Sequence, residues 1–214
     1  MKSKKISRRE FVKATALASG AVVLAACTPN DTIQTTAEDL TEKEPLNNIK
    51  TTGETMKILI IYDTVYGNTE KIAEAIQQAV SKEHEAKLIK AKDATSQDVE
   101  NIDLLIVGSP THGGWYIESI KNFFNQIPDN GLKMNAAAFD TSSDKEGQKA
   151  FVKAIIGFFG YASPRIAKTL AKKGAKVIGS ETFLVLDTEG PLKEGEIERA
   201  KKWGNDVIKM AMET

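Results

Sequence analysis

Two short runs, "MKILIIY" (56–62) and "DLLIVGSP" (103–110), constrain the fold more than any other feature of this 214-residue chain. Both are almost continuously apolar and rich in Ile, Leu and Val, without the alternation of a strand that keeps one face in water. Each therefore predicts a strand buried on both faces, as in a parallel sheet. The segments around them carry the helical period instead. "NTEKIAEAIQQAVSK" places Ile72, Ile76 and Val80 on one face. "YIESIKNFFNQI" does the same with Ile117, Ile120, Phe123, Phe124 and Ile127. "EAKLIKA", the Ala-rich "KMNAAAFD" and "AKVIGSETFLV" predict three further strands, and "GEIERAKKWGNDVIKMAM" a closing helix. "TSQDVENI" predicts a short helix capped by Ser96. The span 148–174 reads as mainly helical but is interrupted by Gly157, Gly160 and Pro164, which predicts a second segment starting near Ser163 with Pro164 at its first position. Five strands alternating with about five helices over roughly 160 residues predict a three-layer α/β domain with right-handed crossovers.

The front of the chain is of a different kind. Residues 1–13 carry Lys2, Lys4, Lys5, Arg8, Arg9 and Lys13 against a single acid, Glu10, and an apolar run, "ATALASGAVVLAA", follows. A basic start, a short apolar stretch and small residues before a cut site describe an export signal. A spanning helix needs roughly 20 apolar residues, and a permanent anchor is the rival reading. "SRREFVK" (7–13) resembles the twin-arginine export motif, whose machinery carries folded cargo, with Val12 where Leu is usual. "LAAC" (24–27) resembles a bacterial lipobox, which implies acylation of Cys27 as the mature N-terminus. Residues 28–55 are rich in Thr, Asn, Asp, Glu and Lys without apolar period, and are expected to form a flexible tether; the α/β domain then occupies 56–214.

Composition narrows the chemistry. Cys27 is the only cysteine, so a disulfide, a CxxC pair and a thiolate metal cluster within one subunit are excluded. Two histidines, His84 and His112, do not make a metal site, and redox chemistry would need an organic cofactor. Without the signal, 23 basic residues face 28 acidic ones, a net charge of −5 that disfavours nucleic acid as a partner.

In a parallel sheet the ligand sits beyond the carboxyl ends of the strands. Three loops meet that description. The first, "DTVYGNT" (63–69), follows strand one; backbone N–H groups, the coming helix N-terminus and the hydroxyls of Thr64 and Thr69 can cradle a phosphate, and Gly67 permits close approach. It holds no Lys or Arg. A helix-capping turn would read the same way. The second, "SPTHGGWY" (109–116), carries Trp115 on a Gly113–Gly114 stem; taken alone, Trp115 is equally a core aromatic. The third, "DTSSDKEG" (140–147), follows strand four. No GxxxxGK[ST] occurs, which removes an ATP-type phosphate loop, and the absence of GxGxxG after strand one argues against a dinucleotide.

With these residues in view, the stretch from Met56 to about Met212 resembles a flavodoxin-family FMN-binding domain. That family's phosphate loop reads Thr/Ser-x-Thr-Gly-x-Thr; Thr64, Gly67 and Thr69 match it, and Tyr66 replaces the middle Thr, as in flavodoxin-like quinone reductases. The resemblance implies a five-stranded parallel sheet of order 2-1-3-4-5 with helices on both faces. It implies that Thr64, Val65, Tyr66, Gly67, Asn68 and Thr69 hold the FMN phosphate. It further implies that Pro110, Thr111, His112, Gly113, Gly114 and Trp115 embrace the isoalloxazine, with Trp115 stacked on it, and that Asp140, Thr141, Ser142 and Ser143 meet its pyrimidine edge. Many members place a second aromatic where Thr141, Ser142 and Ser143 stand; Phe158, Phe159 and Tyr161 are the substitutes this chain offers, with core packing as their other role.

The flavin performs the chemistry and the protein tunes it. A reduced flavin tends to carry negative charge, so acids at Asp63 and Asp140 and an apolar Trp115 are expected to disfavour full reduction, as in a low-potential carrier. The expectation is an exported, lipid-anchored electron carrier serving a redox protein partner at the membrane. The alternative is an NAD(P)H:quinone oxidoreductase, in which His112 would polarise or protonate the quinone. A flavin-free binding lipoprotein is the third reading.

Overall fold

The five predicted strands all form and lie side by side in one parallel sheet. The structure, a computed structural model, describes residues 55–144 and 160–214. The signal at 1–27 with Cys27, the tether up to residue 54, the end of the third predicted loop, and Phe158 and Phe159 lie outside the described residues. The strands are β1 (Lys57–Tyr62), β2 (Glu85–Lys90), β3 (Leu104–Pro110), β4 (Asn135–Ser143) and β5 (Lys176–Val185), in spatial order β2-β1-β3-β4-β5. All four pairings are parallel, and one irregularity interrupts β4 against β5 at Ala136–Ala137. The described helices are α1 (Asn68–Val80), α2 (Glu118–Asn125), α3 (Ser163–Lys172) and α4 (Glu196–Met212), with a 3₁₀ turn at Ser96–Val99.

Burial on both faces explains the unbroken apolar runs. Ile58, Leu59, Ile60 and Ile61 are each no more than 2% exposed. Leu59 and Ile61 point to a core shared with Phe123 and Phe124 of α2 and Ile166 and Leu170 of α3. Ile58 and Ile60 point to the opposite core, with Ile72 and Ile76 of α1 and Val207 of α4. Burying each such side chain stabilises the domain by about 1.5–3 kcal/mol relative to leaving it in water.

Three local expectations need correction. β4 does not end at Asp140; it continues to Ser143, each of its last four residues paired in register with β5 (Asp140↔Thr182 through Ser143↔Val185). Ladder hydrogen bonds and burial override the loop-like composition of "DTSS". The turn at Ser96 is capped by Thr95, whose N–H and hydroxyl both donate to Asp98 Oδ2 at 2.9 Å. Pro164 occupies the second, not the first, position of α3, since Ala162 is the N-cap; a helix's opening turn needs no N–H there either.

Candidate functional site

The loops after β1, β3 and β5 and the end of β4 converge beyond the carboxyl ends of the strands around a cleft of about 150 Å³. From the first loop, Thr64, Val65, Tyr66, Asn68 and Thr69 line it; from the second, Pro110, Thr111 and His112; from β4, Thr141, Ser142 and Ser143. Gly67, Gly113, Gly114, Trp115 and Asp140 stand outside that lining.

The first loop is shaped by its own polar groups. Asp63 Oδ1 accepts the Thr64 N–H at 2.7 Å, and Thr64 Oγ1 accepts the Gly67 N–H at 2.9 Å. Thr64 thereby closes the turn while its own hydroxyl proton stays available to a ligand. Gly67 takes the left-handed φ of 81° needed to enter α1, and a Cβ there would meet nothing within 4 Å, so the backbone is open to close approach. Behind the loop, the Tyr62 hydroxyl donates to Glu70 Oε1 at 2.7 Å and Lys90 Nζ pairs with the same oxygen at 2.9 Å, pinning the first turn of α1 to β1 and β2. Burial, reinforced by Glu70, holds the Tyr62 phenol protonated well above its ordinary range. The Tyr62 and Lys90 hydrogen bonds draw Glu70 down.

Thr69 and Thr141, 1% and 5% exposed, join their hydroxyls at 2.7 Å across the cleft floor. One donates to the other, which leaves one hydroxyl proton of the pair for a ligand. Among the described residues, no Lys or Arg lines the cleft. The donors available to an anion are therefore hydroxyls, the amide of Asn68, and the first N–H groups of α1, which have no acceptor within the helix.

The second loop is held from beneath. Ser109 Oγ accepts the Ile117 N–H at 3.1 Å and donates to Pro110 O. His112 and Trp115 exchange both backbone hydrogen bonds around the Gly113–Gly114 turn, at 2.8 and 3.1 Å. Trp115 is 56% exposed; the Arg165 guanidinium lies 4.3 Å from its ring centroid and also donates to the Gly114 carbonyl. Arg165 was invisible as a site residue in the sequence, because the contact joins positions fifty residues apart.

Asp140 plays another part than the sequence suggested. It is fully buried beneath the cleft, where Oδ2 accepts the Thr111 hydroxyl and, at 2.9 Å, the Ala162 N–H, while Oδ1 has no partner. Burial pushes its carboxyl up, against the opposing pull of the Thr111 and Thr182 hydroxyls, the Ala162 N–H and the Ser163 hydroxyl. Asp140 thus lies under the loop rather than on the cleft wall. Two lining residues had no sequence signal at all: Val185 at the end of β5 and Thr188 just beyond it.

A family model described as "Flavodoxin domain" matches residues 59–181, more than half of the chain. The chain belongs to the flavodoxin family. A flavodoxin from Aquifex aeolicus (strain VF5) is 40% identical over 73 residues, covering 33% of this chain and 40% of that protein. The chain thus spans less than two thirds of that relative's length. A protein named NAD(P)H dehydrogenase (quinone) from Methylocella silvestris is 25% identical over 196 residues, covering 72% of this chain and 96% of the relative. Among solved structures, a flavodoxin from the domain Archaea superposes with a TM-score of 0.54 at 19% identity, over 73% of this chain and 99% of that one. The shared fold is the five-stranded parallel sheet with flanking helices. FMN is the cofactor of this flavodoxin-like domain, and the cleft fits it. Neutral donors gathered at a helix start suit a phosphate without a lysine.

Proposed function

We propose that the chain is an FMN-dependent electron carrier, exported and lipid-anchored on the outer face of the membrane. The observation that carries the redox reading is the hydroxyl-and-amide cradle at α1, free of Lys and Arg, facing a second loop that bears Trp115. In this reading Thr64, Val65, Tyr66, Gly67, Asn68 and Thr69 hold the phosphate through backbone N–H groups and hydroxyls. Pro110, Thr111 and His112 border the ring, Trp115 closes over it on its Gly113–Gly114 turn, and Thr141, Ser142 and Ser143 offer hydroxyls to its polar edge. Asp140 fixes Thr111 from below rather than touching the ring. When bound, FMN supplies uptake and release of one or two electrons. The chain's own residues bind it, orient it and exclude water from one face.

The motif at Arg8 and Arg9 would send a folded, cofactor-loaded domain through the twin-arginine route. Acyl chains on Cys27 would hold it at the membrane, and the tether would let the flavin edge reach a membrane-bound redox protein. Cell fractionation tests this half: Cys27→Ser is expected to move the protein from membrane to soluble fractions.

A second reading is favoured by the Methylocella silvestris relative, over nearly its whole length, and by His112 on the cleft wall. In it, NAD(P)H delivers a hydride, and a quinone receives two electrons and two protons to leave as quinol, with NAD(P)⁺ released. One assay separates the two. The full chain is loaded with FMN, its visible flavin absorbance is recorded, and NADH or NADPH oxidation is followed with a soluble quinone. Turnover no faster than that of free FMN, with rapid electron passage to a protein acceptor after chemical reduction, is the expected result. Saturable turnover abolished by His112→Ala would establish the enzyme instead. A chain that takes up no FMN would end both readings.

A further inference from the structure

A fourth segment reaches the cleft besides the loops after β1 and β3 and the end of β4: the excursion 186–191 between β5 and α4. Resting on the FMN reading of the cleft, we propose that this excursion is a built wall of the cofactor site, in which Thr188 donates its hydroxyl to the phosphoryl group of FMN.

The excursion is held at both ends. At its base Val185 pairs antiparallel with Leu192, the Lys193 N–H donates to Leu184 O at 2.8 Å, and the Leu186 N–H donates to Pro191 O at 2.9 Å. Glu196, 6% exposed, fastens the same base by accepting the Leu184 N–H at 2.9 Å. At its tip the Gly190 N–H donates to Asp187 O at 3.1 Å and the Thr188 N–H to Asp187 Oδ1 at 2.7 Å. The tip then docks on the start of α1, where Asn68 Nδ2 donates to the Glu189 carbonyl at 2.9 Å. The fit is close. Gly190 has a φ of 110°, and a Cβ there would stand 2.7 Å from Asn68 Nδ2. Passage from β5 to α4 does not by itself require contact with α1, yet the contact buries Asn68 to 6% exposure and sets Thr188 on the cleft wall beside Thr64 and Thr69.

The chemistry of the cleft gives this wall its purpose. Among the described residues the phosphate would meet only neutral donors, each of which then matters, and hydrogen bonds to an ionised acceptor are the strong ones.

The test uses the full chain stripped of flavin, with FMN and riboflavin binding followed by flavin fluorescence, and thermal melts as the folding control. The wild type is expected to bind FMN more tightly than riboflavin. Thr188→Val, at an exposed position, is expected to weaken FMN about tenfold while riboflavin, which lacks the phosphate, changes by less than about twofold. Gly190→Ala, which pushes the tip off Asn68, is expected to do the same. If Gly190→Ala fails to fold, Thr188→Val still decides. An unchanged FMN-to-riboflavin ratio in Thr188→Val overturns the proposal while leaving the FMN reading intact. A wild type that binds no flavin removes that reading and the proposal together.

Discussion

At the scale of single residues, Asp140 is a buried carboxyl whose chemistry departs from that of its surface counterparts. Its carboxyl is raised by burial, so the native state keeps the proton to higher pH than the unfolded chain, whose Asp titrates near 3.9. Above that value the native state binds more protons than the unfolded one, and stability falls as pH rises toward the native pKa. Asp140→Asn carries no charge at any pH and keeps an acceptor for the Ala162 N–H. Urea unfolding from pH 4 to pH 8 is therefore expected to show wild-type stability declining relative to Asp140→Asn. Parallel curves would mean that the buried carboxyl does not titrate in that window. Trp115 and Arg165 form the second decisive pair. Arg165→Ala removes the stacked cation and the donor to Gly114 O. Lys presents no planar fork, so Arg165→Lys is not expected to restore the contact. Trp115→Ala is expected to weaken FMN binding by about 1–3 kcal/mol, a typical aromatic stacking contribution. Arg165→Ala should show part of that loss, and fluorescence titration measures both.

At the scale of elements, order and type were legible in the sequence because burial on two faces leaves unbroken apolar runs, and surface helices leave a 3.6-residue period. The end of β4 was not. Asp140, Thr141, Ser142 and Ser143 look like loop residues, but each pairs with β5. A ladder that exists only after the chain has folded decides their state. For the same reason the cleft loops after β1 and β3 could be located, whereas the wall from 186–191 could not. Its partner, Asn68, lies 121 residues away in the chain. Packing between strands is equally unreadable in advance: Gly108 of β3 faces Phe139 of β4, and a Cβ on Gly108 would stand 2.0 Å from the ring. Gly108→Ala should therefore destabilise the domain by roughly 1–3 kcal/mol, the range of overpacked cores. A denaturant midpoint within error of wild type would show that the ring moves aside without strain.

At the scale of the whole molecule, the cleft is assembled from parts that the sheet alone does not hold rigid. The loop 110–116 is fixed by Ser109, Asp140 and Arg165, and the excursion 186–191 by backbone pairing at its base and by the bond from Asn68 at its tip. The two cores beneath entirely bury large side chains that do not line the cleft, Ile60, Ile106 and Phe139 in one and Leu105, Phe123 and Ile166 in the other. The domain should therefore fold in the absence of FMN and be stabilised when FMN bridges its loops. A ligand that binds only the native state contributes about 2.7 kcal/mol at one hundred times its Kd. For a domain of this size each kcal/mol moves Tm by roughly 2–4 °C. Saturating FMN is thus expected to raise Tm by about 5–11 °C, riboflavin by less, and inorganic phosphate by little. The order matters more than the size of the shift. A rise as large with riboflavin as with FMN would place the binding energy in the ring alone and leave the hydroxyl cradle at α1 without an energetic role.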